Sequence, residues 1–221
     1  MSLLRPALSR IRTQVYLINM EIVNNKTGRP IEQYQAQFAA SDPKELASKS
    51  GILFDGEKFR LKLMNRPVSI SYPSMEVVFE DEGKNAADYT RILLSRLVME
   101  GCIIPAKGEM YAYTDMPWGN VYAVQFRGRC IMRLAGTYGH NIEGFKSSCE
   151  SLGFIKASAG DVSFDVPFVE GLTVRLILWE GDDEFPPAAQ ILFSDNFPSA
   201  FTAEDMAVVG DVILNALKGR W

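Results

Sequence analysis

The stretch at residues 172–196, LTVRLILWEGDDEFPPAAQILFSDN, constrains the fold more than any other. Two apolar runs face each other across an acidic turn closed by Pro186 and Pro187. Runs this short, bounded by turn residues, suit neighbouring strands of a sheet better than helices. Residues 173–179 are apolar on both faces apart from Arg175, the pattern of a central strand. Just upstream, Val162, Phe164, Val166 and Phe168 alternate with Ser163, Asp165 and Pro167, which predicts a half-buried strand with those three residues turned outward. Residues 190–193 continue the sheet after the two prolines. Thr202 then caps a terminal helix reaching Leu217, with Phe201 and Met206 placed to form a hydrophobic staple, and Met206, Val209, Ile213 and Leu217 along one face.

The first half reads in shorter pieces. Leu8, Ile11, Val15, Ile18 and Ile22 recur at helical spacing, and the turn-rich NNKTGRP connector at residues 24–30 follows. The expected division is an N-terminal helical arm over 1–29 and a single α+β domain over 30–221. Ile31, Tyr34, Gln35 and Phe38 predict a short helix. Asp42, Pro43 and Glu45, with Gly51 beyond, bracket another over 43–50. Residues 58–64, 68–71 and 75–79 predict a small antiparallel meander, its first turn at Asn65-Arg66-Pro67. Helices are expected over 88–99, over 121–134 with a basic face, and over 142–152, while 105–119 is too aromatic and interrupted for anything but a structured loop or short strand. Helices and strands segregate rather than alternate, so the class is α+β: an antiparallel sheet packed by helices, with a C-terminal strand-turn-strand followed by a terminal helix.

Composition excludes several functions. The 23 basic and 27 acidic residues leave a net charge of −4, without the basic field that attracts nucleic acid. Nowhere do about 18 apolar residues run together, so no membrane span is expected. The N-terminal segment lacks a small-residue cleavage site and reads as mature protein. Cys102, Cys130 and Cys149 form no CxxC pair and leave one thiol over, which points to a reducing cytoplasm. No motif identifies a cofactor.

Trp179, Asp183, Glu184, Phe185 and Pro186, followed by Ile191, Leu192 and Phe193, resemble a domain-of-unknown-function family of anaerobic bacteria and archaea. The order of elements is similar too, including an arginine-bearing stretch like the FRGR at residues 126–129. Some relatives are fused to a cysteine-rich iron–sulfur domain, which implies a setting in anaerobic redox or one-carbon metabolism. Three scattered cysteines do not supply the four thiolates of an ordinary cluster, so that function does not carry over. The family often places an aspartate after the Leu-Phe pair; here Ser194 stands there and Asp195 follows.

Two constellations are candidates for chemistry. Asp182, Asp183 and Glu184 in the turn, with Asp195 in the same hairpin, offer the oxygen ligands a divalent cation wants, and Gly181-Asp182 equally suits a plain turn with solvated acids. Arg127 and Arg129, with Arg133 nearby, present guanidinium groups suited to an anionic ligand, or else form a solvated basic face or pair with the acidic turn. Trp118 and Trp179 are candidate ligand-binding residues: Trp179 and Phe185 flank the acidic turn as a rim or belong to the core, and Tyr111, Tyr113, Trp118 and Tyr122 line a pocket for a planar ligand or pack in the core. Lone His140, in a loop, has no assigned partner for acid–base work. The expected function is a cytoplasmic binding or accessory protein for a small anionic ligand or a protein partner, with a divalent-metal-dependent enzyme as the alternative. Whether the chain is an enzyme is left open.

Overall fold

The computed structural model describes residues 30–221. The amphipathic segment and connector expected over 1–29 lie outside the described residues. Helix α1 (Pro30–Ala40) leads into α2 (Pro43–Ser50), where the Asp42 carboxylate accepts the N–H of Lys44 at 2.8 Å and Gly51 closes the helix at φ 78°. The cap acid, the proline at the first helical position and the left-handed glycine work as the sequence predicts.

Strands β1 (Leu53–Phe54), β2 (Lys58–Leu63), β3 (Arg66–Ser71), β4 (Val77–Phe79) and β5 (Lys84–Asn85) form the meander. The β2–β3 turn differs from the expected one. It is made by Met64 and Asn65, both at positive φ, and Arg66 and Pro67 already belong to β3. Two consecutive left-handed residues match the right-handed twist of the flanking strands. Arg66 instead anchors the sheet edge, since its guanidinium bonds both oxygens of Asp81 at 2.7 and 2.8 Å and lies over the rings of Phe79 and Trp221.

Helix α3 (Asp88–Glu100) follows, then β6 (Met110–Ala112) and a single 3-10 turn at Tyr113–Asp115. The helix expected over 121–134 is real but composite. It comprises α4 (Gly119–Phe126), a π-turn at Arg127–Ile131, and α5 (Met132–Tyr138). Helix α6 (Ile142–Ser151) leads to β7 (Ile155–Ala157), β8 (Val162–Val169), β9 (Leu172–Trp179) and β10 (Ala188–Ser194). A short helix α7 (Phe197–Ala200) and the long α8 (Ala203–Ala216) end the domain. Among the described residues no helix is long and apolar enough to cross a membrane.

All the strands belong to one antiparallel sheet, in the order β5-β4-β3-β2-β8-β9-β10-β6, with β1 on β2 and β7 on β8. The hairpin pairs from Trp179 opposite Ala188 to Val174 opposite Phe193. The meander joins the C-terminal strands through one pair, Leu63 with Val169, helped by the Met64 N–H donating to the Phe168 carbonyl at 2.9 Å. Strand β8 lies between neighbours in the sheet, and Asp165 and Pro167 stay partly exposed as expected. Ser163, expected to face outward, is fully buried, and its hydroxyl accepts the Ala159 N–H at 2.9 Å. Asp165, across from Arg175, binds that guanidinium through both oxygens.

One core runs through the described residues, from Phe38 and Phe59 to Phe193 and Ile213. Part of it is a chain of rings that sets up the site below. Phe126 lies 5.8 Å from Phe193, Phe193 is 4.9 Å from Phe197, and Phe197 is 5.8 Å from Phe201. Edge and tilted contacts of this kind are favourable beyond simple burial. They fix β10, α7 and the start of α8 against α4.

Candidate functional site

The N-terminal end of α8 is built by a capping box. The Thr202 hydroxyl accepts the Asp205 N–H at 3.3 Å, and the Asp205 carboxylate accepts the Thr202 hydroxyl at 2.7 Å and its N–H at 3.2 Å. The other Asp205 oxygen lies 3.2 Å from Nε of Arg96 on α3, close enough for an ion pair but not aligned as a hydrogen bond. Arg96 has further partners. It donates to the Tyr34 hydroxyl at 3.0 Å and to the Glu100 carboxylate at 3.2 Å. Burial works against the Arg96 charge, but the carboxylates of Asp205 and Glu100 outweigh it and hold the guanidinium above its ordinary pKa.

The opposite wall comes from residues 110–126. Tyr113 stacks on Phe126, with ring centroids 4.0 Å apart, and donates its hydroxyl to the Ala203 carbonyl at 2.7 Å, which pins this segment to the first turn of α8. Met116, Pro117, Trp118 and Gly119 then close a tight turn through the Gly119 N–H and the Met116 carbonyl at 2.9 Å. Trp118 occupies its third position at φ 64°, ψ 2°, where a type II turn requires a left-handed residue and favours glycine. Gly119 cannot carry a side chain, because a Cβ there would lie 1.8 Å from the Tyr113 carbonyl oxygen.

Between these walls lies a groove of about 670 Å³. Phe201, Ala203 and Met206 form a buried apolar floor, while Trp118, Val121 and Tyr122 form an exposed lip. Trp118 is 78% exposed. The charged groups at the groove are Arg96, Glu100, Glu204 and Asp205.

Residues 42–216 match the model of a family described as Domain of unknown function (DUF3786). The chain belongs to this family. The match spans the whole sheet and the groove, from α2 to the end of α8, so in DUF3786 terms both walls lie inside the shared domain. No curated protein and no solved structure matches the chain.

Of the candidate site residues expected from sequence in this DUF3786 domain, Trp118 and Tyr122 line the groove. Arg129 and Arg133 do not meet the acidic hairpin. Arg129 Nε donates to Asp211 on α8 at 3.0 Å, and Arg133 reaches the same carboxylate at 3.2 Å as well as Asn215. Arg127 is exposed, with no ion pair or hydrogen bond to any described residue. Trp179 ends β9, half-buried beneath Gly160.

The four carboxylates of the hairpin do not converge. Asp182 accepts the N–H groups of Phe185 and Glu184 at 2.7 and 2.9 Å, which draw its pKa below the usual carboxylate value. Gly181 donates to the Gly139 carbonyl at 3.0 Å, so the turn is docked on the end of α5. Asp183 and Glu184 are exposed. Asp195 sits past the far end of β10, roughly 25 Å away at about 3.3 Å per strand residue. There both its oxygens accept the Lys107 N–H at 3.0 Å. A strand that long separates residues that look adjacent on paper. Among the described residues, no group of three or more His, Cys, Asp or Glu side chains is placed to hold a metal ion.

His140 borders a second, polar hollow of about 380 Å³ with Glu143, Lys146, Asp161 and Glu180. Its charges are mostly engaged within the fold. Lys146 pairs with Glu143 at 2.6 Å, and Asp161 accepts the Glu180 N–H at 2.8 Å. The groove residues missed from sequence were Arg96, Glu100, Glu204 and Asp205. The available signals were Arg96 beside the apolar face of α3 and the Thr-x-x-Asp spacing at Thr202.

Proposed function

We propose that this chain is a binding or accessory protein that holds a ligand in the groove beside Trp118, rather than a catalyst working through the acidic hairpin. Trp118 carries the reading. A large apolar ring stands 78% exposed at the lip, on a backbone conformation that glycine adopts at lower cost. The fold gains little burial from that ring, so its use lies outside the fold. The rest of the groove suits the same role, with an apolar floor, a few charged groups at the edge and a volume in the range of small-molecule sites. The metal-dependent alternative loses support because Asp182, Asp183, Glu184 and Asp195 occupy separate places. An anionic ligand at Arg127 and Arg129 loses support because Arg129 is engaged by Asp211. The resemblance to relatives fused to iron–sulfur domains supports a setting in anaerobic redox or one-carbon metabolism, and three unpaired cysteines support a reducing cytoplasm.

Ligand-observed NMR with a fragment library, run on the full chain and on Trp118→Gly, tests the proposal. Fragments that bind the native protein and are lost in a folded variant are the expected result. An absence of hits, or hits that bind both proteins equally, would overturn it.

A further inference from the structure

We infer that the groove takes a small organic cation, an ammonium or guanidinium group carried on an apolar body. This rests on the groove being a binding site, and it names the chemistry of the occupant. Three carboxylates, Glu100, Glu204 and Asp205, border the groove against one guanidinium, Arg96. The lining therefore carries two net negative charges. The α8 N-terminus opposes this with only about half a positive charge, so the balance still favours a cation.

The one basic group is not free to recruit an anion. Arg96 is held by Tyr34, Glu100 and Asp205 at 3.0 to 3.2 Å. The acidic side, by contrast, keeps an open group. Glu204, in the first turn of α8, is exposed and makes no hydrogen bond or ion pair with any described residue. Asp205 is occupied by its cap and by Arg96, which leaves Glu204 as the carboxylate that an incoming charge would meet.

Aromatic rings complete the argument. Trp118 and Tyr122 both line the groove, and neither stacks on another ring among the described residues. The face of an indole or phenol ring is electron-rich, and it attracts ammonium and guanidinium groups within about 6 Å of its centre. A cation between such rings and a carboxylate is held by two effects that both repel an anion. The volume of about 670 Å³ suits a small molecule rather than an extended polypeptide surface.

The test uses three probes of similar size and different charge on the full chain: benzyltrimethylammonium, benzyl alcohol and benzoate. Binding is read from the indole N–H signal of Trp118, assigned by its loss in Trp118→Gly. The cation is expected to bind about tenfold more tightly than the alcohol, and benzoate more weakly still. Glu204→Gln should weaken the cation roughly fivefold and leave the alcohol unchanged, and raising salt from about 20 to about 200 mM should weaken the cation alone. A melting curve verifies that the variant is folded. If the alcohol or benzoate binds as tightly as the cation, or if no probe moves the Trp118 signal while library fragments do, the cation assignment fails and the groove reading stands. If neither probes nor fragments move it, both fail. Tighter binding of a lysine-bearing peptide than of benzyltrimethylammonium would place the charge on a protein partner and overturn the small-molecule assignment.

Discussion

The Ser194 hydroxyl donates to the side-chain oxygen of Asn196 at 2.6 Å, and both side chains are buried. The Asn196 amide donates in turn to the carbonyls of Ile104 and Gly171, each at 2.7 Å, and the Ser194 oxygen accepts the Thr173 N–H at 3.1 Å. This network ties the end of β10 to the turn between β8 and β9 and to the loop after α3. Ser194, rather than the aspartate that the resemblance leads one to expect, is the residue this network uses at position 194. A carboxylate there would face the oxygen of Asn196.

Asn196→Ala removes three hydrogen bonds and leaves the buried Ser194 hydroxyl without its acceptor, while the carbonyls of Ile104 and Gly171 belong to exposed residues that water can reach. Unpaired buried groups cost about 1–3 kcal/mol each when no water replaces the partner. A loss of about 1–3 kcal/mol in chemical denaturation is therefore expected. Ser194→Asp should lose a comparable amount through the buried charge, and either variant keeping native stability would show the network to be incidental.

Gly210 on α8 lets the π-turn approach. A Cβ at this position would lie 2.5 Å from Cys130 Sγ and 3.2 Å from Cys130 Cβ, and Cys130 is fully buried, with its thiol directed at the Ala207 carbonyl. Overpacking of this kind costs about 1–3 kcal/mol, while alanine in place of a helical glycine returns up to about 1 kcal/mol. Gly210→Ala should thus be destabilised by roughly 1–2 kcal/mol. Adding Cys130→Ala should recover part of that loss, and a double-mutant cycle measures the coupling. Additive effects would show that the two residues do not press on each other.

Elements whose cause is local were legible in the sequence. Asp42, Pro43 and Gly51 fix α2 within one short segment, and Thr202 does the same for α8. Strand alternation placed the hairpin and the meander. The features that escaped depend on residues far apart in the chain. Ser163 is buried where β8 is flanked by β7 at Ala157 and by β9 at Ile177, with its hydroxyl taken by the Ala159 N–H. The pairing of Arg129 with Asp211, rather than with the acidic turn, depends on α4 and the π-turn lying along α8. The groove needs α3, α4, α7 and α8 together. Trp118 was visible as an aromatic residue near a turn, but its left-handed backbone at the third turn position was not.

The cysteines give a reactivity and pH prediction. Burial pushes the Cys130 thiol up to about 12 and raises the Cys149 thiol as well, while Cys102 is partly exposed. The thiolate is the reactive form. At pH 8 a thiol reagent should therefore label one cysteine quickly in the native protein and all three in denaturant. The unfolded chain ionises near pH 8.5, where folded Cys130 stays neutral, so its contribution to stability is complete below that value and falls as pH rises towards 12. The slope for one such group is about 1.4 kcal/mol per pH unit in that window. Cys130→Ala should flatten the stability profile by about that amount between pH 9 and 11, and an unchanged slope would contradict the assignment.

Trp118 sets function against stability in a way that two substitutions can separate. A non-glycine residue in the left-handed region carries about 1–2 kcal/mol of strain, and glycine relieves it while adding about 0.5–1 kcal/mol of chain entropy to the unfolded state. Trp118→Gly should therefore match or exceed native stability, by up to about 1 kcal/mol, or a few degrees in melting temperature for a domain of this size. Trp118→Ala keeps the strained backbone and also loses whatever contact the ring makes, so it should be no more stable than the native protein. The expected order is glycine above tryptophan and tryptophan at or above alanine. If glycine proves as destabilising as alanine, the ring is holding the turn in place, and its exposure at the groove no longer argues for a ligand.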